Sequence, residues 1–159
     1  MKSLNLITFI LMIGGLIFIT ACGPDPPPEP TQDELRLEEL AGTSNITWAL
    51  ATGTAVTLEG NDRTDDWQNF ELTLTTSKSY NTTSSIEESV WPSAGTWDFA
   101  GTEGAGLDII IRSDQQQINI DNISTSNLTL SFNKVLSRTN QNERVTSIEG
   151  EWVFKFVKK

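Results

Sequence analysis

The sequence contains no histidine, and only one of its 159 residues is cysteine. Both methionines, Met1 and Met12, lie close to the start of the chain. Imidazole, thiolate and thioether groups are the usual ligands of zinc, copper, haem iron and iron–sulfur clusters. Histidine is also the base of Ser-His-Asp and Cys-His enzymes. These absences argue against such sites, and any catalysis would depend on carboxylates.

Positive charge is scarce as well. The chain has 11 Lys and Arg residues against 21 Asp and Glu residues, which gives a formal net charge of −10. An acidic surface repels phosphate backbones and anionic lipid headgroups. Neither nucleic acid as a partner nor membrane binding through surface charge is therefore expected. No cofactor is predicted.

Long hydrophobic runs are limited to one, from Leu6 to Ile19, which follows the positive charge of Lys2. This arrangement is typical of a signal peptide, and the run is shorter than the roughly 20 residues of a membrane-spanning helix. It ends in Ile19, Thr20, Ala21 and Cys22, a stretch that resembles the lipobox of bacterial lipoproteins. The resemblance implies cleavage before Cys22 and acylation of that cysteine. An uncleaved anchor helix and an ordinary secretory signal are the alternatives.

The predicted organisation has three parts: a lipoprotein signal peptide over residues 1–21, a lipid anchor and proline-rich linker over 22–32, and one folded domain over 33–159. Five of the six prolines lie between Gly23 and Pro30, where they favour an extended stalk. We expect the lipid bilayer to be a partner through acylated Cys22. The expected location is the bacterial cell envelope, at the outer membrane, with the leaflet left open.

After the stalk, Thr31 and Glu34 have the spacing of a capping box, which predicts a short helix over Asp33 to Ala41. From Ile46 onward apolar residues recur with a period of two, which predicts about eight strands. Short connections favour antiparallel hairpins. The fold class is therefore all-β, an up-and-down meander, and its closure as a barrel or a sandwich stays open. The apolar positions of the predicted strands are Ile46, Trp48 and Leu50; Val56 and Leu58; Phe70, Leu72 and Leu74; Tyr80; Trp97 and Phe99; Leu107, Ile109 and Ile111; Ile118 and Ile120; Leu128, Leu130 and Phe132; Trp152, Phe154 and Phe156.

The last predicted strand is apolar on both faces, because Val153 and Val157 alternate with its aromatic residues. A strand of this kind is usually covered on both sides. We therefore expect the Asp33 to Ala41 helix to pack against its outer face.

Three segments resemble lipocalin-like lipoproteins of Bacteroidota, many of which are domains of unknown function. They run from Val90 to Phe99, from Ile118 to Phe132 and from Gly150 to Phe154. The resemblance implies an up-and-down barrel or half-barrel on an envelope-anchored stalk, and it implies no catalytic residue.

Four aromatic residues are candidates for contact with a ligand or a partner: Trp67, Trp91, Tyr80 and Trp97. They either line the mouth of a barrel and stack on a small apolar ligand, or fill its core. Trp67 is out of register with the following strand, and Trp91 precedes Pro92. Either of these two side chains is therefore a candidate for facing solvent or a partner.

Carboxylates suggest two further sites. The run from Asn61 to Asp66 supplies oxygen ligands suited to calcium, but its spacing does not match an EF-hand loop and Arg63 opposes a cation, so a solvated turn is the preferred interpretation. A carboxylate-dependent hydrolase is a remote alternative, for which Asp98 is noted, although its parity places it on the outer face. The function that we predict is a binding or interaction module without catalysis, whose partner is a small apolar ligand or an envelope protein. The alternative is an accessory subunit of a larger outer-membrane complex.

Overall fold

The computed structural model describes residues 27–135 and 148–159. Cys22 and the lipobox residues Ile19, Thr20 and Ala21 lie outside the described residues, and their roles remain predictions. Within the described ranges, no helix has both the length and the apolar character needed to cross a bilayer. The elements in chain order are α1 (Gln32–Ala41), β1 (Asn45–Leu50), β2 (Val56–Leu58), β3 (Asn61–Asp62), β4 (Glu71–Thr75), β5 (Ser79–Thr83), β6 (Ala94–Phe99), β7 (Ile109–Arg112), β8 (Gln117–Ile123), β9 (Asn127–Lys134) and β10 (Gly150–Lys158), with short 3₁₀ turns at Thr64–Trp67 and Gly104–Asp108.

Eight strands form a closed antiparallel barrel. From β4 to β10 each strand pairs with the next in sequence, β1 pairs with β4, and β1 also pairs with β10, which closes the ring. The short β2 continues the line of β1 along β10, with Leu50 opposite Phe156 and Val56 opposite Phe154. This closure confirms the predicted meander and decides between the barrel and the sandwich.

The two ends of the barrel are closed by different parts of the chain. At the lower end, α1 contacts β1 and β4, and its Arg36 reaches Asp108 between β6 and β7. The indole N–H of Trp48 donates to the carbonyl oxygen of Leu40 at 3.0 Å, which fixes the helix to the barrel wall. The upper end carries the segment from β2 to β4 and the loop of residues 84–93 between β5 and β6.

The helix begins at Gln32, one residue before the predicted start, and ends at Ala41 as its sequence predicts. The Glu34 carboxylate accepts the backbone N–H of Thr31 at 2.8 Å, which pairs one of the amides left free at a helix start. Gly42 follows the last turn at φ +65°, a conformation that favours glycine, and its N–H donates to the carbonyl of Glu38.

Two predictions about strand faces are wrong. In β7 the inward side chains are Ile110 and Arg112, whereas Ile111 is 36% exposed and Leu107 belongs to the preceding 3₁₀ turn. In β10 the outer face is open, with Val157 37% exposed and Val153 half-buried. The main contacts of α1 are with β1 and β4, because its buried end at Leu40 is held by the indole of Trp48 on β1.

Candidate functional site

The interior of the barrel is filled by aromatic rings. From β10, the inward side chains of Trp152, Phe154 and Phe156 form a row whose neighbouring ring centroids are 5.9 and 6.1 Å apart. Phe132 of β9 stacks on Phe154 at 6.0 Å, and Phe70 lies 5.7 Å from the same ring. Aromatic pairs at these separations stabilise a core beyond the area that they bury.

Trp67 closes part of the upper end from the 3₁₀ turn Thr64–Trp67. Its ring meets Phe70 and Phe154 edge to face, each at 5.1 Å, and the side chain is only 1% exposed. The turn is held by Asp62, whose Oδ1 accepts the N–H of Thr64 at 2.9 Å and its hydroxyl at 2.6 Å. These hydrogen bonds lower the pKa of Asp62. The alternative in which Trp67 faces solvent is wrong.

Trp91 enters the barrel from the 84–93 loop. Its ring lies 5.7 Å from Phe132, 5.8 Å from Phe154 and 6.2 Å from Tyr80, and its side chain is 1% exposed. The exposed position considered for Trp91 is therefore also wrong. The residue fills the upper interior although it belongs to no strand.

Tyr80 and Trp97 occupy inward positions on β5 and β6, as their parity predicts, and are 2% and 3% exposed. The ring of Tyr80 lies over Gly95, where an added Cβ would come within 2.7 Å of it. Burial raises the pKa of the Tyr80 phenol. The indole of Trp97 donates to the carbonyl of Ser79 at 3.3 Å. None of the four candidate rings is presented to solvent in this structure.

Arg112 is the residue that the sequence pattern did not reveal. Its side chain is 1% exposed and faces the interior from the upper end of β7. Two of its nitrogens donate to the carboxylate of Asp114 at 3.1 and 2.6 Å, and Nη1 donates to the carbonyl oxygen of Val90 at 2.8 Å. The guanidinium lies 5.0 Å from the ring of Trp91. Arg112 therefore joins the 84–93 loop to the barrel wall.

The environment of Arg112 sets the charge of its partner. Partial burial alone would raise the pKa of Asp114, but the hydrogen bonds and positive charge of Arg112 hold it below the ordinary value of 3.8. A buried guanidinium needs both a counter-charge and acceptors for its remaining donors. Asp114 supplies the counter-charge, and the carbonyl oxygen of Val90 is one of the acceptors.

The other sequence-based candidates lie on the surface. In the Asn61–Asp66 run, Asp62 is engaged by Thr64 and Thr54, and Arg63 forms an ion pair with Asp66. Among the described residues, no group of three or more acidic, histidine or cysteine side chains is placed to hold a metal ion. Asp98 lies on the outer face as predicted, 2.6 Å from the Lys78 ammonium.

Grooves flank α1 at the lower end. One of about 640 Å³ runs beside Leu35, Ile46 and Lys158, and another of about 410 Å³ lies between Leu35 and Asp108. Leu35 is 48% exposed between them. Acidic and basic side chains line both grooves together with the apolar ones, so their chemistry favours no single class of ligand.

The fold and the interior define a class of protein: a closed, lipocalin-like antiparallel barrel whose described interior is filled by aromatic and aliphatic side chains and by Arg112. No family model, no curated protein and no solved structure matches the chain.

Proposed function

We propose that this protein is a bacterial envelope lipoprotein, tethered through an acylated Cys22, whose barrel is a binding or interaction module without catalysis. The observation that supports the proposal is the filled interior of the barrel. The inward positions of the barrel are aromatic and aliphatic, and the one buried charge, among the residues described, is held in place by Asp114 and Val90. With Trp91 in the position seen here, the interior is occupied by the protein's own side chains, and the outer surface is left for contacts.

The position of α1 supports a tether at the lower end. The helix starts at Gln32, whose side chain accepts the N–H of Gly104 in the lower loop between β6 and β7. Gln32 lies ten positions after Cys22, and an extended proline-rich chain of ten steps spans about 31 Å. On this proposal the lower end faces the membrane and the upper end points away from it.

Contact with another envelope protein is the version that the surface favours. At the upper end, Ile86 is 59% exposed and Val135 is 77% exposed. On this proposal these two side chains, which lie away from the tether, would contact the partner. The accessory-subunit alternative would therefore use Ile86 and Val135, since Trp67 and Trp91 are buried.

The tether is tested by labelling cells with an alkyne analogue of palmitate and separating membrane and soluble fractions. The wild-type chain is expected to carry the label and to stay with the membranes, because several acyl chains make release negligible. Cys22→Ala is expected to lose the label and to leave the membrane fraction. Thr20→Ser, which keeps a small residue in the lipobox, is the matched control. Unchanged labelling or partitioning of Cys22→Ala would refute the tether.

The contact surface is tested by placing a photoreactive amino acid at Ile86 or Val135 in cells. A cross-linked band is expected from these positions and not from Val157, which is exposed to 37% on the wall of the barrel. Equal cross-linking from all three positions would count against a partner at the upper end.

A further inference from the structure

The 84–93 loop is attached to the barrel by few side chains. Only Val90 and Trp91 are buried, whereas Ile86 is 59% exposed. At its start, Ser84 has φ +54°, a conformation that is strained for a residue with a side chain. The loop has no regular secondary structure and shapes itself through local bonds, such as that from the Ser85 hydroxyl to the Trp91 carbonyl.

The ring of Trp91 fills a space that the strands surround. Its neighbours are Phe70, Tyr80, Phe132 and Phe154, at centroid distances between 5.7 and 6.2 Å. These four rings belong to the wall or come directly before it, whereas Trp91 comes from the loop. If the loop moved outward, the wall would enclose an apolar site the size of an indole.

The closed position leaves one polar group of the loop unsatisfied. The indole N–H of Trp91 is buried and has no hydrogen-bond partner in the part of the chain that the structure describes. A buried donor without an acceptor is unfavourable, and most buried indole N–H groups find one. Trp91 is therefore seated without the hydrogen bond that a permanent core tryptophan usually has.

Among the described residues, two side chains tie the loop to the barrel, in addition to the backbone N–H of Thr82, which donates to the Ser93 carbonyl at 2.8 Å. Arg112 donates Nη1 to the Val90 carbonyl at 2.8 Å, and the Thr82 hydroxyl donates to the Pro92 carbonyl at 3.2 Å. When the loop leaves, Asp114 still neutralises Arg112, but Nη1 loses its acceptor and the guanidinium loses the ring of Trp91. The vacated site then offers the N–H donors of Nη1 and a flat cation beside aromatic walls.

We propose that the 84–93 loop is a lid, that Trp91 occupies a binding site inside the barrel, and that a neutral aromatic molecule bearing a carbonyl oxygen binds there when the lid lifts. The aromatic group of the ligand replaces the indole of Trp91. Its carbonyl replaces that of Val90 as the acceptor for Arg112, and no second charge is needed because Asp114 is already paired. This inference rests on the proposed function, since it assigns a ligand class to the binding module.

The test uses the full chain in detergent, with N-acetyltryptophanamide as the probe, and follows backbone hydrogen exchange by mass spectrometry. In the free protein, peptides covering 84–93 are expected to exchange faster than those of β9 and β10. Because the probe binds only the open form, it is expected to increase exchange in 84–93 and to slow it in the barrel strands. A ligand bound anywhere else would not release the lid.

Thr82→Val is the variant that loosens one tie while keeping the size of the side chain. Apparent affinity scales with the populated fraction of the open form, so the probe is expected to bind this variant more tightly than wild type. The neighbouring Thr83→Val is the control and is expected to match wild type. 3-Methylindole, which lacks the carbonyl, is expected to bind about tenfold more weakly than the probe, the effect of one lost hydrogen bond to a charged donor.

Two results would overturn the lid. Exchange in 84–93 as slow as in β9 and β10 would show that Trp91 is permanent core, and probe binding without faster exchange in 84–93 would place the ligand elsewhere. The second result leaves the binding module standing. Failure of the proposed function itself is read separately, from the fractionation of Cys22→Ala.

Discussion

Arg112 is the charged side chain that the described part of the barrel buries, and three groups depend on it. Asp114 is its counter-charge, the Val90 carbonyl accepts from Nη1, and the ring of Trp91 lies against its plane. Replacing it with methionine keeps much of the volume but removes these partners. We expect Arg112→Met to lower the free energy of unfolding by about 2–3 kcal/mol, since Asp114 is partly exposed and is resolvated by water.

The measurement is urea unfolding at neutral pH, with Arg36→Met as the matched control. Arg36 forms ion pairs with Glu39 and Asp108 at the surface, where such pairs contribute about 0–1 kcal/mol. Equal effects of the two variants would show that burial adds nothing to the role of Arg112.

Residue patterns explain why most inward positions were predictable and Arg112 was not. Alternation identified Trp48, Leu72 and Phe154 correctly, because large apolar side chains recur at every second position of their strands. In β7 three isoleucines follow one another, so alternation does not show which of them face inward. A charged residue such as Arg112 is normally assigned to the outer face. The inward parity of Arg112 depends on Asp114 and Val90, which are tertiary partners that no local pattern contains.

At the scale of elements, the docking of α1 depends on its C-terminal half. Leu40 is fully buried, whereas Leu35 is 48% exposed on the same helix. Leu40→Ala is expected to lower the free energy of unfolding by about 2–4 kcal/mol, because it removes buried methyl groups and leaves a cavity. Leu35→Ala is expected to change it by less than about 0.5 kcal/mol.

Thermal unfolding and urea unfolding of the two variants decide this point. If Leu40→Ala were as stable as Leu35→Ala, the helix would be a loose appendage and the lower end of the barrel would be closed by other groups.

Elements differ in how far the sequence determines them. The helix has a capping box and a terminal glycine, and the long strands have alternation, so both were predictable from local signals. The two 3₁₀ turns and the 84–93 loop were not, because they contain neither periodicity nor a cap and are shaped by what lies beneath them. Trp67 and Trp91 lie in this group, which is why their sequence positions suggested solvent exposure.

For the whole molecule, the lack of histidine and the lowered carboxylate pKa values predict the pH dependence of stability. The Lys78 ammonium holds the pKa of Asp98 below 3.8, and Arg112 does the same for Asp114 against the effect of burial. Such groups bind a proton more weakly in the folded than in the unfolded chain. Their stabilisation is present above the unfolded pKa and is lost as the pH falls through the folded pKa.

We therefore expect the free energy of unfolding to be flat between about pH 6 and 8, where no side chain of ordinary pKa titrates, and to fall below about pH 4. Urea unfolding in about 0.5 M salt, which screens the net negative charge, measures this profile. The free energy of unfolding of Asp114→Asn is expected to fall less steeply at acidic pH than that of wild type. A loss of stability with its midpoint near pH 6 would contradict the assignment of this loss to carboxylates with lowered pKa values.

Residues 27–31, the described residues before α1, are exposed, and the buried cluster begins within the helix, so we expect the barrel and α1 to fold without the segment before Thr31. A chain of residues 31–159 is expected to unfold at the same temperature as one of residues 22–159, within about 2 °C. Removing residues up to Gly42 also deletes Leu40 and Ala41 and the acceptor for the Trp48 indole. That shorter chain is expected to unfold at least about 8 °C lower, since the loss of a buried helix end costs several kcal/mol. Calorimetry of the three chains separates a stalk that only tethers from one that takes part in folding, and a loss of stability already at the first truncation would assign the stalk a structural role.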